Sequence, residues 1–586
     1  MWQAAQFALV KTCFPSETSP FIATAFSAAS KPVTEAEVER AKQQLLKQRE
    51  LQASKTDQLA ISLSEWAAQG DWRLYFLFRD VVEQLDDKKV QDAASKYLVR
   101  NNRTVGLFIP SETVERVEIP ESPDLTAKLD GYKGREGIQE GERFDPDPLK
   151  IEERTERGAL NSGIKYALLP KRTRGGSVSL FMTLRFGTAD TMINRLGATE
   201  LLGILMKRGT EKLDYQALQD ELTRLRASMS LSSQPGLLVL SLETKREFLS
   251  DVIELVGEVL RNPRLSADEL DVIKRQIITS LQQSASEPTE QAVRKVRRTL
   301  SPYGKDDIRY VQTLEEEIAM YESVKIDEIK SLYSELLSGQ VGELAIVGDF
   351  DPAEMKSQVQ GILNGWTSTV PYVRVDQPAN TATKGALFSI NTPGKENAFF
   401  FASAQMGLAD TDPAYAPLVL GNFILGGSGL SSRLGDRVRQ QEGLSYGVRS
   451  GLTPRAKDKR ADLTIYAITN PQKKDRLIEV IREEVERLTT DGVTADELGK
   501  AKSAYLQAER VRRASDTALA GELAQLMFFN DRTMVFAAEY SDRIEKSTVE
   551  SVNQAVKEYI DWDKLVMAFA GQFDVKEQDA KDEASK

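Results

Sequence analysis

The sequence predicts an α+β protein built from repeats, each a mainly antiparallel sheet with helices packed on one face. Three observations carry that prediction. The first is a phrase that occurs three times: Val33-Thr34-Glu35-Ala36-Glu37-Val38, Leu265-Ser266-Ala267-Asp268-Glu269-Leu270 and Val493-Thr494-Ala495-Asp496-Glu497-Leu498. Each reads as a capping box, in which a Ser or Thr hydroxyl caps a helix and a Glu three residues on reaches back to the cap's N–H. The capping residues lie 266 − 34 = 232 and 494 − 266 = 228 residues apart, and a lysine follows each one (Lys42, Lys274, Lys502). The second observation is that every unit closes on a short apolar strand, at Thr104–Ile109, Glu343–Val347 and Leu565–Ala570. The third is order. In a complete unit strand patterns come first and helical patterns afterwards, the signature of an α+β domain.

Taken along the chain, the first copy is short. Only 33 residues precede its capping Thr34, so it lacks opening strands, and 1–30 form an atypical leader containing the single cysteine, Cys13. This incomplete domain is assigned to 1–110. Residues 111–150, rich in Pro, Gly and charge, read as a linker. The second copy, 151–375, opens with the alternation Val178, Leu180, Met182, Leu184, Phe186, which marks a half-buried strand. Leu237–Leu242 is a further strand, and a helix runs from about Arg246 to Leu260. The third copy, 380–575, repeats the scheme. Strands at Ala386–Ile390 and Asn397–Gln405 precede a helix within Pro413–Leu425, and a strand at Leu463–Ile468 leads to a helix over Arg476–Leu488. The charged end, 576–586, is expected to be disordered.

Composition narrows the chemistry. There is no histidine among the 586 residues, which removes Ser-His and Cys-His nucleophile pairs, imidazole bases and histidine-ligated zinc. One cysteine allows no internal disulfide. A net charge of −11 argues against a nucleic-acid surface. No apolar run reaches the roughly 18 residues that span a bilayer, and Met1-Trp2-Gln3 opens no recognisable secretory signal. Gly426-Gly427-Ser428-Gly429 lacks the Gly-Lys-Ser/Thr ending of a phosphate loop and reads as a flexible turn. Ser428 and Ser432 have no base beside them to make either a nucleophile.

Over about 30–575 the chain resembles the pitrilysin/insulinase-type zinc metallopeptidases. The strongest match is Gly426-Gly427-Ser428-Gly429-Leu430-Ser431-Ser432-Arg433-Leu434, continuing through Arg439 to Gly443-Leu444-Ser445-Tyr446. Tyr132-Lys133-Gly134 and Phe144-Asp145-Pro146 look like the joint between the halves of large bacterial members. The resemblance implies four homologous α+β domains in two halves that close on a peptide. This chain would be the end of the second domain plus the third and fourth. The family's His-x-x-Glu-His would fall on Glu200-Leu201-Leu202-Gly203-Ile204, where both histidines and the general base are replaced, and Lys274-Arg275-Gln276 stands where a third ligand is sought. Glu200 is then expected to be a solvated or capping residue, and Leu201, Ile204 and Leu205 to be core.

The same resemblance implies substrate-binding roles for Arg439 and Tyr446, whose donors persist near neutral pH. On the residues alone, Asp436, Arg437 and Arg439 are equally a solvated face of a charged helix, and Tyr446 a cover on a sheet. The reading is a non-catalytic, peptide-gripping half that binds no cofactor itself. Zinc is expected in a histidine-bearing half, either a separate chain or a missing N-terminal part, in the periplasm by resemblance. The alternatives are a structural or assembly protein of the same fold, like the core subunits of cytochrome c reductase, or an inactive remnant.

Overall fold

The computed structural model describes residues 32–98, 129–134, 137 and 139–573. Cys13, the leader, the strand expected at 104–109 and the charged end lie outside them. The chain divides into two compact units, Met1–Glu140 with Asp220–Arg226, and Gly141–Gln219 with Ala227–Lys586.

Among its described residues the first unit has four helices before residue 99, α1 Glu35–Ala53, α2 Thr56–Ala68, α3 Leu74–Glu83 and α4 Asp87–Tyr97. The capping box at Thr34 forms as read, with the Thr34 N–H donating to Glu37 Oε2 at 2.9 Å and the Glu37 N–H to Thr34 Oγ1 at 3.3 Å. Its centre is an aromatic nest for one cation. The Arg49 guanidinium stands 4.1 Å from the Tyr75 ring centre and 4.9 Å from that of Phe78.

The second unit holds two sheets of one topology. The first joins β1 Glu156–Ala159, β2 Lys165–Pro170, β3 Ser177–Arg185, β4 Ser228–Gln234, β5 Leu237–Lys245 and β6 Gly342–Gly348 in the order β1-β2-β6-β3-β5-β4. The second joins β7 Ala386–Asn391, β8 Ala398–Met406, β9 Ser445–Arg455, β10 Arg460–Thr469 and β11 Val566–Gly571 in the order β7-β11-β8-β10-β9. All pairs are antiparallel except β2/β6 and β7/β11. The helices used below are α5 Leu196–Met206, α6 Ala267–Ser284, α7 Pro288–Leu300, α8 Tyr415–Asn422, α9 Lys474–Thr490, α10 Ala495–Ala514 and α11 Asp516–Phe528.

Two details of the repeat differ from the sequence reading. At Ser266 the capping bond is not made; Glu269 turns instead to Arg208, 3.6 Å away. And β3 is buried on both faces, not half-buried. Ser179, Thr183 and Arg185 are as enclosed as Val178, Leu180 and Leu184. The cause is an exchange of helices between the two copies. Helix α11, from the later copy, covers the outer face of the first sheet, where Leu519, Ala520, Leu523 and Ala524 meet Ala167, Leu169, Ala345 and Val347. Reciprocally α7, from the earlier copy, covers the second sheet, where Ala292, Val296 and Leu300 meet Val566, Ala568 and Ala570. Each sheet thus has its own helices on one face and a borrowed helix on the other.

Two of the three repeated lysines share a task that sequence alone did not reveal, whereas Lys42 pairs with Glu39 at 3.1 Å. Lys274 donates to the carbonyls of Glu322 (2.7 Å) and Val324 (2.9 Å), and Lys502 to that of Glu545 (2.7 Å). Both neutralise carbonyls at the end of a neighbouring helix, where the dipole favours a cation.

Candidate functional site

At the position of the missing metal motif, α5 is pressed against edge strand β4. A Cβ on Gly203 would sit 2.7 Å from the Ser232 carbonyl carbon, and the Gly203 N–H donates to Ser233 Oγ at 2.7 Å. Leu201 and Leu205 are core, and Ile204 is half-buried. Glu200 is neither solvated nor a cap. It is half-buried and accepts a 2.5 Å hydrogen bond from the Tyr321 hydroxyl, and burial pushes its carboxyl above the usual range. Lys274 is committed to carbonyls, and Gln276 accepts from Arg208 at 3.1 Å. One engaged carboxylate beside an isoleucine and a packed glycine is not a zinc donor set.

The second region is built around β9. Helix α8 continues into a wide π-type turn, Phe423–Gly427, and a second such segment spans Gly435–Gln441. Such segments are uncommon and frequent at functional sites. The glycine run is packed, not flexible. A Cβ on Gly426 would lie 2.5 Å from the Ser450 nitrogen on β9, and one on Gly435 would lie 2.3 Å from the Gly429 carbonyl oxygen. Ser432 is buried and acts as a local clamp, donating to the Gly429 carbonyl at 2.5 Å and accepting from the Gly435 N–H at 3.0 Å.

The charged run 436–442 separates into paired and unpaired members. Asp436 accepts from Gln441 at 2.7 Å; Arg437 pairs with Glu442 (3.0 Å) and Glu483 (3.2 Å). Arg439 is exposed and makes no hydrogen bond or ion pair with any described residue. The Leu444 N–H donates to the Val438 carbonyl at 2.9 Å, closing the turn between them and bringing Arg439 back beside the start of β9. There the pairing of β9 with β10 slips by one residue. Thr469 opposes Ser445 and Ile468 opposes Gly447, which leaves Tyr446 as the extra residue of a β-bulge. Bulges re-aim side chains, and Tyr446 is 92% exposed and without a partner among the described residues. Three residues on, exposed Arg449 is likewise unpaired among the described residues. Sequence reading passed over Arg449 because Gly447, Gly451 and Pro454 interrupt the alternation that marks a strand. The site therefore combines two unpaired guanidiniums, one phenol and an edge strand.

Its base is anchored by a bidentate pair. Arg433 Nε and Nη2 donate to Glu497 at 2.8 and 2.9 Å, and Nη2 also to the Gly492 carbonyl at 2.7 Å. The Arg433 guanidinium is the main reason that Glu497, itself the capping-box acid of α10, has its pKa lowered from 4.5 to about 2. A carboxyl more acidic in the folded than in the unfolded chain adds stability above its unfolded pKa and loses it as pH falls through the folded one. The melting-temperature gap between wild type and Glu497→Gln is expected to be full at pH 6 and to close between about pH 4.5 and pH 2. A gap that stays constant across that window would show that the pair is not linked to folding.

Comparison with known proteins places this architecture. Residues 323–505 match the model of the peptidase M16 inactive domain. The chain is 21% identical over 396 residues to the non-peptidase homolog YmxG of Helicobacter pylori, covering 66% of this chain and 88% of that protein. Among solved structures, the peptidase M16 inactive domain from Pseudomonas fluorescens superimposes with a TM-score of 0.64 at 22% identity, over 72% of this chain and 98% of that one. The periplasmic protease PqqL of Escherichia coli superimposes with a TM-score of 0.59 at 13% identity, over 94% of this chain and 63% of that one.

Proposed function

We infer that this chain, which carries a peptidase M16 inactive domain, is the non-catalytic, peptide-gripping half of a pitrilysin/insulinase-type metalloendopeptidase. The observation that carries the reading is selective exposure. Arg437 is neutralised by acids around it, whereas Arg439 and the bulge-aimed Tyr446 are left to solvent. Leaving an arginine unpaired there forgoes local stabilisation, which makes sense where a ligand carbonyl or carboxylate completes it. Strand β9 ends its sheet with no further strand paired to its outer side, so an extended peptide can add to the sheet whatever its sequence. Arg439 and Tyr446 orient a peptide carbonyl, and Arg449 is a further donor on the same strand.

Catalytic zinc and its base belong to a histidine-bearing partner half. This chain supplies enclosure and grip, and we place it in the periplasm, the compartment named for PqqL. The sequence has no histidine with which to build the metal site itself. Cleavage of a quenched peptide tests the reading. Zinc-dependent activity should appear only when this chain is mixed with a His-x-x-Glu-His partner, and Arg439→Ala should lower it about tenfold or more without changing the melting temperature. An inert mixture, or a neutral Arg439→Ala, would return the chain to the assembly role of a non-peptidase scaffold.

A further inference from the structure

The register of the repeat extends past the capping boxes to the next helix. Helices α2, α7 and α11 start at Thr56, Pro288 and Asp516, which are 288 − 56 = 232 and 516 − 288 = 228 residues apart, the same spacings as the caps. Each is 13 residues long. Positions can therefore be matched one by one. Ala292 and Ala520 correspond to Ala60, Val296 and Ala524 to Ser64, and Leu300 and Phe528 to Ala68.

In α7 and α11 this stripe is the contact with the other copy's sheet. Ala292, Val296, Ala520 and Ala524 are at most 1% exposed. In α2 the burial is inverted. Ala60, Ser64 and Ala68 are all exposed, and no residue of the helix is buried. Ile61 is 58% exposed, whereas its counterpart Val293 is packed into the α7 interface. A stripe of small residues lets a helix lie close to a sheet. Here the sheet is not supplied by the described residues.

We propose that the Ala60–Ser64–Ala68 face of α2 docks on the outer face of a β-sheet in a further repeat of this same fold. The occupant's chemistry follows from the two interfaces already formed. It presents small apolar residues at alternate positions of paired central strands, as Ala345 and Val347 do on β6 and Val566, Ala568 and Ala570 do on β11. A second copy of this chain does not fit, because both its described sheets are already covered by α7 and α11. The inference stands on the internal repeat and asks nothing of Arg439 or Tyr446. It identifies where the partner assumed above attaches.

The test is a photo-crosslinking side chain placed at Ser64 of the full-length protein in its native cells, with the crosslinked peptide identified by mass spectrometry. The crosslink is expected on strand residues of a repeat of this fold, with small apolar residues alternating along the strand. Ser64→Arg should weaken association with the protein so identified by at least tenfold. It should leave the circular dichroism and melting temperature unchanged, since the site is exposed. A crosslink to a second copy, to a helix or to an unrelated protein overturns the proposal. So does no crosslink at all, or a Ser64→Arg variant that associates as wild type. Because peptide binding at β9 is read separately, failure here leaves the gripping role standing, and the reverse also holds.

Discussion

Arg185→Met is expected to lower the unfolding free energy by about 3–5 kcal/mol, the cost of stranding a buried carboxylate. Arg185 is 8% and Glu343 5% exposed, at neighbouring positions of β3 and β6 on the outer face of the first sheet. The guanidinium bonds Glu343 Oε2 through Nε at 3.0 Å and Nη2 at 2.9 Å. Its flat face lies 3.4 Å from the ring centre of Phe528, the last residue of the borrowed helix α11. Removing the cation leaves Glu343 with the Thr183 hydroxyl as its hydrogen-bond donor and Lys457, over the same Phe528 ring, as the nearby positive charge. The double replacement Arg185→Met/Glu343→Leu should recover most of the loss, because two apolar groups of similar volume need no desolvation of charge. Arg185→Lys should fall between, keeping the charge but losing the planar fork and the stacking. Denaturant unfolding of the four proteins decides it. If the double variant is no more stable than Arg185→Met, the stacking and not the buried charge dominates.

This pair marks the limit of what the sequence could say. The repeat, the strand order and the helix starts were legible because they are local. A capping box needs four consecutive residues, and a half-buried strand declares itself by alternation. The exchange of helices was not legible, because Ala520 and Ala524 have the pattern of any amphipathic helix and nothing in them specifies which sheet they meet. For the same reason β3 read as half-buried. Its outer face carries Ser179, Thr183 and Arg185, polar residues that ordinarily face water and are enclosed here by α11. Glu200 misled in the opposite direction. A lone carboxylate reads as solvated, and only the fold brings Tyr321 to it across 121 positions. At the candidate site, Arg439 and Tyr446 were found through a motif. What the motif could not give is the β-bulge that turns Tyr446 outward, or the acids that pair Arg437 while leaving Arg439 alone. Besides the local Glu442, one of those acids is Glu483 on α9, 46 positions away.

Leu523→Ala should cost about 2–5 kcal/mol, the usual range for emptying a fully buried leucine site, and the cost should be felt in both repeats at once. Leu523 is 0% exposed and belongs by sequence to the later copy, yet it packs on strands of the earlier one. Since α7 makes the opposite crossing, neither sheet can keep its outer face covered after the other copy unfolds. Losing α11 exposes Ala345 and Val347, and losing α7 exposes Ala568 and Ala570. Reciprocal burial of this kind ties the stabilities of two modules together. Two tryptophans report on the two copies separately, Trp366 at the end of the first and Trp562 just before β11 in the second, each buried. In single-tryptophan proteins the two fluorescence transitions should coincide in wild type and move together in Leu523→Ala. If only one of them moves, the repeats are independent domains and the helix exchange does not couple them.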